Sequence, residues 1–330
     1  MEVCEGVEQL PPSLPYPVVT IGNFDGIHRG HRLIFQRVVE RARKAGGSSV
    51  AVTFRPHPQR VLKPEASPDL LTDFPTKLSL MEGEDLDVVL IIPFTRSFAQ
   101  TAPQTFIREI LHERVGAKEL FVGHDFAFGR DRAGSIKMLE AEGEKLGFSV
   151  TMVGPVEWEG QTVSSSIIRK ALAEGEPGKA ADLLGRPFSL SGKVVGGYEE
   201  GRIMGFPTAN VQPAPEILLP ALGVYAVRVR RGERWYDGVA NIGTSPTFED
   251  RPLRLEVHIF EFSEDIYEEL LEVAFISRLR EERRFPSVDE LTAQIRKDVA
   301  DARAALALAE AEARARPDAD PETKPDEVAS

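Results

Sequence analysis

The stretch TIGNFDGIHRGH, Thr20–His31, decides the fold of the first half of the chain. It joins an apolar run that predicts a strand, Pro17–Gly22, to a segment with apolar residues at helical spacing, Arg29–Ala45. Its glycines allow a sharp turn and the close approach of a ligand to the backbone. His28 and His31 are three residues apart at the start of the helix, so they can point to the same side. Because a helix N-terminus also presents N–H donors, the stretch predicts a phosphate site.

Two other interpretations of this histidine pair are open from the residues alone. The histidines could cap the helix, or they could bind a metal, although no third ligand stands at a usual zinc spacing. A P-loop is excluded because the turn lacks Gly-Lys-Ser/Thr. The phosphate interpretation suits a site that holds a triphosphate and stabilises charge as pyrophosphate leaves, without a covalent intermediate.

The segments that follow repeat the alternation of buried strand and helix. Helical patterns cover Gln104–Val115 and Ser135–Leu146. The further predicted strands are Ser49–Phe54, Asp87–Pro93, Glu119–Gly123 and Phe148–Val153. Near-continuous apolar strands alternating with helices predict a Rossmann-like α/β domain with a parallel sheet, which binds ligands at the carboxyl ends of its strands.

A different pattern begins at about Pro187, where short strands alternate with turns rich in glycine and proline. This pattern predicts an antiparallel β-barrel or β-sandwich. A helix is predicted over Ser287–Ala315, with Ser287 and Glu290 forming a capping box. The predicted organisation is therefore two-domain α/β + β, with an N-terminal domain at 1–185, an antiparallel β domain at 186–310 and a disordered tail at 311–330.

Three further polar segments follow predicted strands or open a helix. TFRPHP brings His57 to the end of the second strand, and VGHDFAFG places Asp125 beside aromatic residues after the fourth. VSSSIIR, Val163–Arg169, combines hydroxyls at a helix start with an arginine one turn later, which suits a phosphate. The alternatives are an ordinary turn residue for His57, a turn cap for Asp125 and a plain helix cap for the serines.

The second half carries its own polar cluster in GGYEEGRIMGFPTANV, Gly196–Val211. Thr208 and Asn210 alternate along an extended segment and face one side, where their oxygens suit Mg²⁺. The alternative is an ordinary glycine-rich hairpin with polar ends. In LRLEVHIF, Leu253–Phe260, Glu256 lies opposite the apolar face, and on the residues alone it reads as a solvated strand carboxylate.

The string GNFDGIHRGH resembles the HxGH nucleotidyltransferase superfamily, and its prokaryotic FAD synthetase branch in particular. The resemblance implies a catalytic role for His28 and His31. It also implies that His57 belongs to the part of the site that binds the flavin. The implied ATP-binding residues are Gly22, Asn23, Phe24, Gly26, His28, His31, Ser164, Ser165, Ser166 and Arg169. The implied flavin-binding residues are His57, Asp125, Phe126 and Phe128. Ser166 stands where the family commonly has threonine, and it keeps the hydroxyl.

The barrel half resembles the riboflavin kinase domain in GFPTAN, GVY, NIGTSPTF, LEVHIF and FISRLREERRFPSVDEL. The resemblance implies a Greek-key barrel closed by the C-terminal helix. It also implies Mg²⁺ bound by Thr208 and Asn210, and Glu256 as the general base. The implied ATP-binding residues are Gly201, Arg202, Gly205, Pro207, Thr208 and Asn210. The implied flavin-binding residues are Arg280, Arg283 and Phe285, whose alternative is a solvated charged turn. Ile203 and Met204 replace the usual Thr-Leu of the glycine loop.

Together the two resemblances predict a bifunctional enzyme that phosphorylates riboflavin to FMN and adenylylates FMN to FAD, with ATP as co-substrate and Mg²⁺ as cofactor. One rival is an HxGH nucleotidyltransferase for another substrate, joined to a non-catalytic flavin-binding barrel. Flavin-dependent turnover separates the two.

Composition excludes other classes of function. The net charge of −12 disfavours a polyanion-binding surface, so no nucleic-acid partner is expected. One cysteine, Cys4, excludes an intrachain disulfide. No signal peptide and no membrane-spanning run stand out, so a cytoplasmic protein with no membrane partner is expected. The sequence leaves weak self-association open.

Overall fold

The computed structural model describes residues 1–196, 205–243, 253–315, 322–323 and 327–328. The chain divides into two compact units. One comprises Met1–Pro68, Lys77–Val163 and Pro321–Ser330, and the other comprises Asp69–Thr76 and Ser164–Asp320. The ranges predicted for the domains, 1–185, 186–310 and 311–330, stay a proposal.

The first unit is built on a seven-stranded sheet in the described part of the chain. Its strands in chain order are β1 (Glu2–Glu5), β2 (Val18–Ile21), β3 (Ser49–Arg55), β4 (Val88–Pro93), β5 (Glu119–Gly123), β6 (Ser149–Val153) and, from the tail, β16 (Glu327–Val328). The spatial order is β1-β4-β3-β2-β5-β6-β16, and every pair is parallel except β16 with β6. The predicted parallel sheet is confirmed, whereas β1 carried no signal in the sequence.

Helices of the first unit follow the strands as the pattern predicted. Their bounds are α1 (Arg29–Ala45), α2 (Pro58–Leu62), α3 (Phe74–Glu82, whose first residues lie in the second unit), α4 (Pro103–Thr105) and α5 (Ile136–Leu146). Short 3₁₀ turns cover Val7–Gln9, Pro64–Ala66, Phe98–Gln100 and Arg130–Arg132. The amphipathic helix predicted over Gln104–Val115 continues from α4 as a π-helix, Phe106–Arg114.

The position of the site follows from the order of the strands. From β2 the chain moves to β3 and β4 on one side, then returns to place β5 on the other side of β2. All four residues of β2 are buried, so the strand is central and covered on both faces. Open α/β sheets bind ligands at such a switch point, outside the carboxyl ends of the strands.

A hairpin of β7 (Val156–Trp158) and β8 (Gln161–Thr162) completes the first unit, together with β15 (Glu322–Thr323). The tail strands β15 and β16 pair antiparallel with β7 and β6, whereas the sequence predicted a tail without regular structure. Backbone pairing at a sheet edge needs no apolar pattern, which is why the acidic tail gave no signal for it.

The second unit contains a closed six-stranded antiparallel barrel among its described residues. The barrel strands are β9 (Phe188–Val195), β10 (Ala209–Pro213), β11 (Gly223–Arg231), β12 (Arg234–Gly243), β13 (Arg254–Ile259) and β14 (Leu270–Arg280). Their order around the barrel is β10-β13-β12-β11-β14-β9. The helices are α6 (Ser165–Ala173), α7 (Pro177–Leu184) and α8 (Val288–Ala315).

Helix α8 packs on the barrel, as the resemblance to the riboflavin kinase domain implied. Ser287 caps it, since its Oγ accepts a hydrogen bond from the Glu290 N–H at 3.3 Å. Ala302 and Leu306 pack against Val224 and Ala226 of β11, so the apolar stripe of the helix covers one side of the barrel.

Candidate functional site

The turn between β2 and α1 carries the first candidate site, and its backbone is tightly constrained. Phe24 and Ile27 adopt left-handed conformations with φ of 48° and 40°, and both side chains are buried. A Cβ on Gly22 would lie 2.7 Å from the Phe24 ring, and a Cβ on Gly30 would lie 3.2 Å from the His28 ring. A side chain at either position would therefore crowd one of these rings, and Gly26 adopts a φ of 89°, which favours glycine.

His28 and His31 lie side by side at the start of α1. Their rings stack with centroids 3.6 Å apart, and Nδ1 of His28 accepts a hydrogen bond from the His31 N–H at 3.3 Å. The prediction that both face one side is confirmed, and His28 is also the helix cap. The described residues hold no group of three or more His, Cys, Asp or Glu placed to bind a metal ion.

The hairpin of β7 and β8 packs on this turn. The Arg29 guanidinium lies over the Trp158 ring, 3.6 Å from its centroid, in a cation–π contact. Val156 lies near Gly30, 3.8 Å from where a Cβ would stand. The hairpin thus supports the start of α1 from outside the sheet.

His57 and the aromatic residues lie at the same edge of the sheet. His57 caps α2, because its Nδ1 accepts a hydrogen bond from the Gln59 N–H at 3.3 Å. Asp125 is exposed in the turn after β5, and the Phe126 and Phe128 rings stack 5.4 Å apart. Phe128 is buried while Phe126 is half-buried, so Phe126 offers the more accessible ring face.

An aromatic row extends from these two rings. Successive ring centroids are 5.4 to 6.3 Å apart along it. Its members are Phe54, Phe98, Phe106, Phe128 and Phe126. Phe106 and Phe128 are buried in the core, and Phe54, Phe98 and Phe126 pack against it with part of their surface exposed, so only these three rings are accessible to a flat aromatic ligand.

The serine segment at the start of α6 belongs to the second unit. Ser164 caps the helix, since its Oγ accepts a hydrogen bond from the Ile167 N–H at 3.3 Å. Arg169 donates from Nε to the carbonyl of Asp69 at 2.7 Å. Ser166 is exposed and Ser165 is half-buried. The predicted helix start with hydroxyls and an arginine one turn later is confirmed as local structure.

Lys77 on α3 is a residue of the first site that the sequence did not reveal. It is buried, and its Nζ donates to the carbonyl of Asn23 at 2.6 Å and to Thr53 Oγ1 at 3.2 Å. Burial lowers the pKa of the Lys77 ammonium from 10.5 to about 8, against the attraction of the Asp25 carboxylate. Lysine side chains are usually exposed, and nothing in the sequence around Lys77 indicates that this one is buried.

The barrel places Glu256 between two asparagines. In register, Glu256 of β13 lies opposite Asn210 of β10 on one side and opposite Asn241 of β12 on the other. Opposed residues of antiparallel strands share a face, with Cβ atoms about 5 Å apart. Leu255 and Val257 are buried in the core, so Glu256 lies on the outer face, as the alternation predicted.

Asn241 is the second residue for which the sequence predicted no role, although it opens the quoted motif NIGTSPTF. The Asn241 amide nitrogen and the Glu282 carboxylate both lie beside Gly243. The amide nitrogen is 3.1 Å from the point that a Cβ on this glycine would occupy. A carboxylate from the segment after β14 therefore reaches the neighbourhood of Glu256 and Asn241.

The oxygens predicted for Mg²⁺ lie on this same part of the barrel. Oδ1 of Asn210 is buried and has no hydrogen-bond partner in the described part of the chain, which fits an oxygen ligand for a cation. Thr208 is exposed two residues before it. The carbonyl of Pro207 accepts a hydrogen bond from Nδ1 of His258 at 2.8 Å, and Gly205 precedes it in a left-handed turn. Gly201 and Arg202 lie outside the described residues.

The three residues predicted for the flavin side of the barrel form one cluster. Arg280 makes a two-pronged ion pair with Asp298 of α8, at 3.0 Å from Nε to Oδ1 and 2.8 Å from the terminal nitrogen to Oδ2. Arg283 donates to Gln294, and both guanidinium groups lie over the Phe285 ring, 5.6 and 4.8 Å from its centroid. Arg280 thus holds α8 against the barrel.

We expect Arg280→Ala to lower the free energy of unfolding by roughly 3 kcal/mol, because it leaves the Asp298 carboxylate buried without its charge partner. Arg283→Ala is the matched control, since Arg283 is exposed, and its cost should stay below about 0.5 kcal/mol. Urea unfolding followed by circular dichroism measures both. Equal losses in the two variants would show that the ion pair does not hold α8.

Both halves of the chain match family models. One described as FAD synthetase matches residues 11–167, and one described as riboflavin kinase matches residues 184–306. A protein of Escherichia coli strain K12 named bifunctional riboflavin kinase/FMN adenylyltransferase is 42% identical, covering 87% of this chain and 91% of the relative. Relatives with that name in Pseudomonas fluorescens and Haemophilus influenzae are 41% and 36% identical and cover 92% of this chain, with 97% and 99% of their own lengths covered.

A solved structure has the same fold over nearly the whole chain. The crystal structure of a protein described as a macrolide-efflux protein from Streptococcus pneumoniae is 32% identical, with a TM-score of 0.82 over 92% of this chain and 99% of that one. No helix among the residues described for this chain is long and apolar enough to cross a membrane. The identities and coverage together place the chain in the family of bifunctional riboflavin kinase/FMN adenylyltransferases.

Proposed function

We propose that the chain phosphorylates riboflavin to FMN on its barrel and adenylylates FMN to FAD at the β2–α1 turn, with ATP as the donor in both reactions. The observation that carries this proposal is the stacked pair of His28 and His31 at the N-terminus of α1, in a chain whose barrel also aligns Glu256 with two asparagines. Phosphorylation and adenylylation are two different reactions, and the two clusters provide a separate site for each.

The kinase reaction is assigned to the outer face of the barrel. The 5′-hydroxyl of riboflavin attacks the γ-phosphorus of ATP, Glu256 takes the hydroxyl proton, and ADP leaves. Asn210 and Asn241 flank Glu256 in register on the two neighbouring strands. Gly201, Arg202, Gly205 and Pro207 are assigned to ATP, and Arg280, Arg283 and Phe285 to the flavin side.

Mg²⁺ is proposed as the cofactor of this site, with Thr208 and Asn210 as its protein ligands. The buried Asn210 oxygen and the Thr208 hydroxyl are the hard ligands that Mg²⁺ prefers. When bound, the ion neutralises charge on the phosphate oxygens of ATP. Asn210 lies next to Glu256, the proposed base, in register. The γ-phosphate of ATP and the 5′-hydroxyl of riboflavin would therefore be brought together there.

The adenylyltransferase reaction is assigned to the turn. A phosphate oxygen of FMN attacks the α-phosphorus of ATP, and pyrophosphate leaves. His28 and His31 donate to the phosphate oxygens and stabilise the charge that develops on the leaving group. The FMN phosphate is already anionic at neutral pH, so the reaction needs no strong base.

The remaining assignments follow the same reaction. Backbone groups of Gly22, Asn23, Phe24 and Gly26 are assigned to ATP, as are Ser164, Ser165, Ser166 and Arg169. Asp125, Phe126 and Phe128 are assigned to the flavin, with His57 at the neighbouring strand end. The partly exposed Phe126 ring supports this assignment, because an accessible aromatic face suits an isoalloxazine.

We expect Phe126→Ala to raise KM for FMN about 10-fold in FAD synthesis, because the variant loses a half-buried ring face beside the proposed flavin site. Initial rates at varied FMN and saturating ATP measure this change. Phosphorylation of riboflavin by the same preparation is the internal control and should be unchanged. A KM for FMN within twofold of wild type would remove Phe126 from the flavin site.

The proposed function is tested by chromatography of flavins after the protein is incubated with riboflavin, ATP and Mg²⁺. Appearance of FMN and then FAD supports both activities. Conversion of FMN to FAD with riboflavin left untouched would remove the kinase assignment and leave the barrel as a flavin-binding module. Consumption of ATP with some other acceptor and no flavin product would leave only the nucleotidyltransferase assignment.

We further propose that the enzyme works in the cytoplasm. The only thiol, Cys4, is buried and free, which suits a reducing compartment. Weak self-association remains a prediction that size-exclusion chromatography at several concentrations can test.

A further inference from the structure

Lys77 lies in an environment that lysines rarely occupy. Its side chain is 7% exposed, although a charged ammonium is costly to bury and lysine is seldom fully buried without a partner. The hydrogen bonds to the Asn23 carbonyl and Thr53 Oγ1 offset part of that cost. Because burying this charge costs free energy, we looked for a function of Lys77 in the adjacent β2–α1 turn.

The two hydrogen bonds join the ends of neighbouring strands. Thr53 belongs to β3, and Asn23 is the second residue after β2, directly before the left-handed Phe24. Thr53 Oγ1 itself donates to the Asn23 carbonyl at 3.4 Å, and the ammonium strengthens this link between β3 and the first residues of the turn by binding both groups. The β2–β3 pairing itself stops short of Asn23, since its register ends at Ile21 and Val52 and the next backbone bond runs from Gly22 to Val52.

The turn needs such a brace because its own conformation is strained. Left-handed backbone at a residue other than glycine costs roughly 1–2 kcal/mol, and the turn contains it at both Phe24 and Ile27. His28 follows Ile27 directly. A turn released at Asn23 can relax toward ordinary conformations, and its movement displaces the imidazoles.

We propose that Lys77 is a positioning residue of the adenylyltransferase reaction, whose ammonium braces the Asn23–His28 turn so that His28 and His31 face the phosphates of ATP. This inference rests on the function proposed above for the turn. Lys77 acts through the turn and is not assigned a contact with substrate.

The charge of Lys77 gives the brace a pH dependence. With its pKa lowered to about 8, Lys77 is protonated at neutral pH and loses its proton as the pH rises through about 8. Asp25 of the turn attracts the ammonium, His28 and His31 are the other titratable groups of the turn, and Arg55 ends β3. Proton loss removes one N–H donor and the attraction to Asp25, so the brace weakens above that pH.

The test compares Lys77→Met and Lys77→Arg with Lys44→Met, an exposed lysine on α1, in the full chain. For FAD synthesis from FMN, we expect Lys77→Met to lower kcat about 100-fold with KM for ATP within threefold, as for a misplaced catalytic group. Lys77→Arg should recover about 10-fold of this loss, because it keeps a charged donor. Riboflavin phosphorylation should be unchanged in all three variants.

The pH profile separates positioning from a merely structural role. For wild type, kcat/KM for ATP in FAD synthesis should fall as the pH passes about 8, and Lys77→Met should lack that fall. A Lys77→Met variant with wild-type FAD synthesis, or with both activities lost equally, would overturn the proposal. A wild-type protein that makes FMN and no FAD would overturn instead the function assigned to the turn, whatever the variants do.

Discussion

Glu256→Gln is expected to lower kcat for riboflavin phosphorylation by roughly 10³-fold, while the same protein still converts FMN to FAD. The amide has the size of the carboxylate and cannot take the proton of the 5′-hydroxyl. Glu256 lies on the outer face of β13, so the change leaves the barrel core intact. Flavin chromatography with riboflavin or FMN as the starting flavin measures the two activities in one preparation.

The matched control is Glu233→Gln, an exposed glutamate in the turn between β11 and β12. It should retain both activities. If Glu256→Gln phosphorylates riboflavin within a few-fold of wild type, the base lies elsewhere. Glu282 is then the next carboxylate to change, because it reaches the backbone of Gly243 beside Asn241.

The second large effect is expected at the turn. His28→Asn should lower kcat for FAD synthesis by roughly 10² to 10³-fold, because it removes an imidazole that stabilises charge on the departing pyrophosphate. Asparagine is a good helix cap, so it can replace the acceptor that His28 now offers to the His31 N–H. The thermal unfolding midpoint should therefore stay near that of wild type, and riboflavin phosphorylation should be unchanged.

His28→Ala separates the two roles of this residue. It should lose the same catalytic factor and also about 1 kcal/mol of stability, the usual cost of a lost cap. His112→Asn, on the π-helix of the same unit, controls for the substitution itself. FAD synthesis at the wild-type rate in His28→Asn would mean that His28 is a cap and no more.

Much of the fold followed from local patterns. The buried run before Gly22, the glycine turn and the helical spacing from Arg29 predicted a strand, a turn and a helix, and the structure has them within a residue or two. These elements are formed by residues close together in the sequence, so the local pattern is enough to predict them. The strand β1 and the strands of the tail were missed. Such short edge strands form by backbone pairing with distant segments, so their own residues need not show a strand pattern.

Long-range register explains what was missed in the candidate site. The sequence shows Asn210, Asn241 and Glu256 in three separate segments, and nothing in their spacing says that barrel closure puts them in one row. Lys77 was missed for a similar reason, because its burial depends on strands β2 and β3 that lie far from it in the chain. The histidine pair was found because its geometry is set within one helical turn.

The contact between Arg29 and Trp158 has a practical consequence for observing the enzyme at work. The chain has two tryptophans, and each unit carries one: Trp158 beside the β2–α1 turn, and Trp235, half exposed, on the barrel. Indole emission responds to a neighbouring cation and to solvent, so each half carries its own fluorophore. Replacing either indole with phenylalanine leaves a single reporter, and nucleotide loading of one half can then be timed in a stopped-flow instrument without an added label.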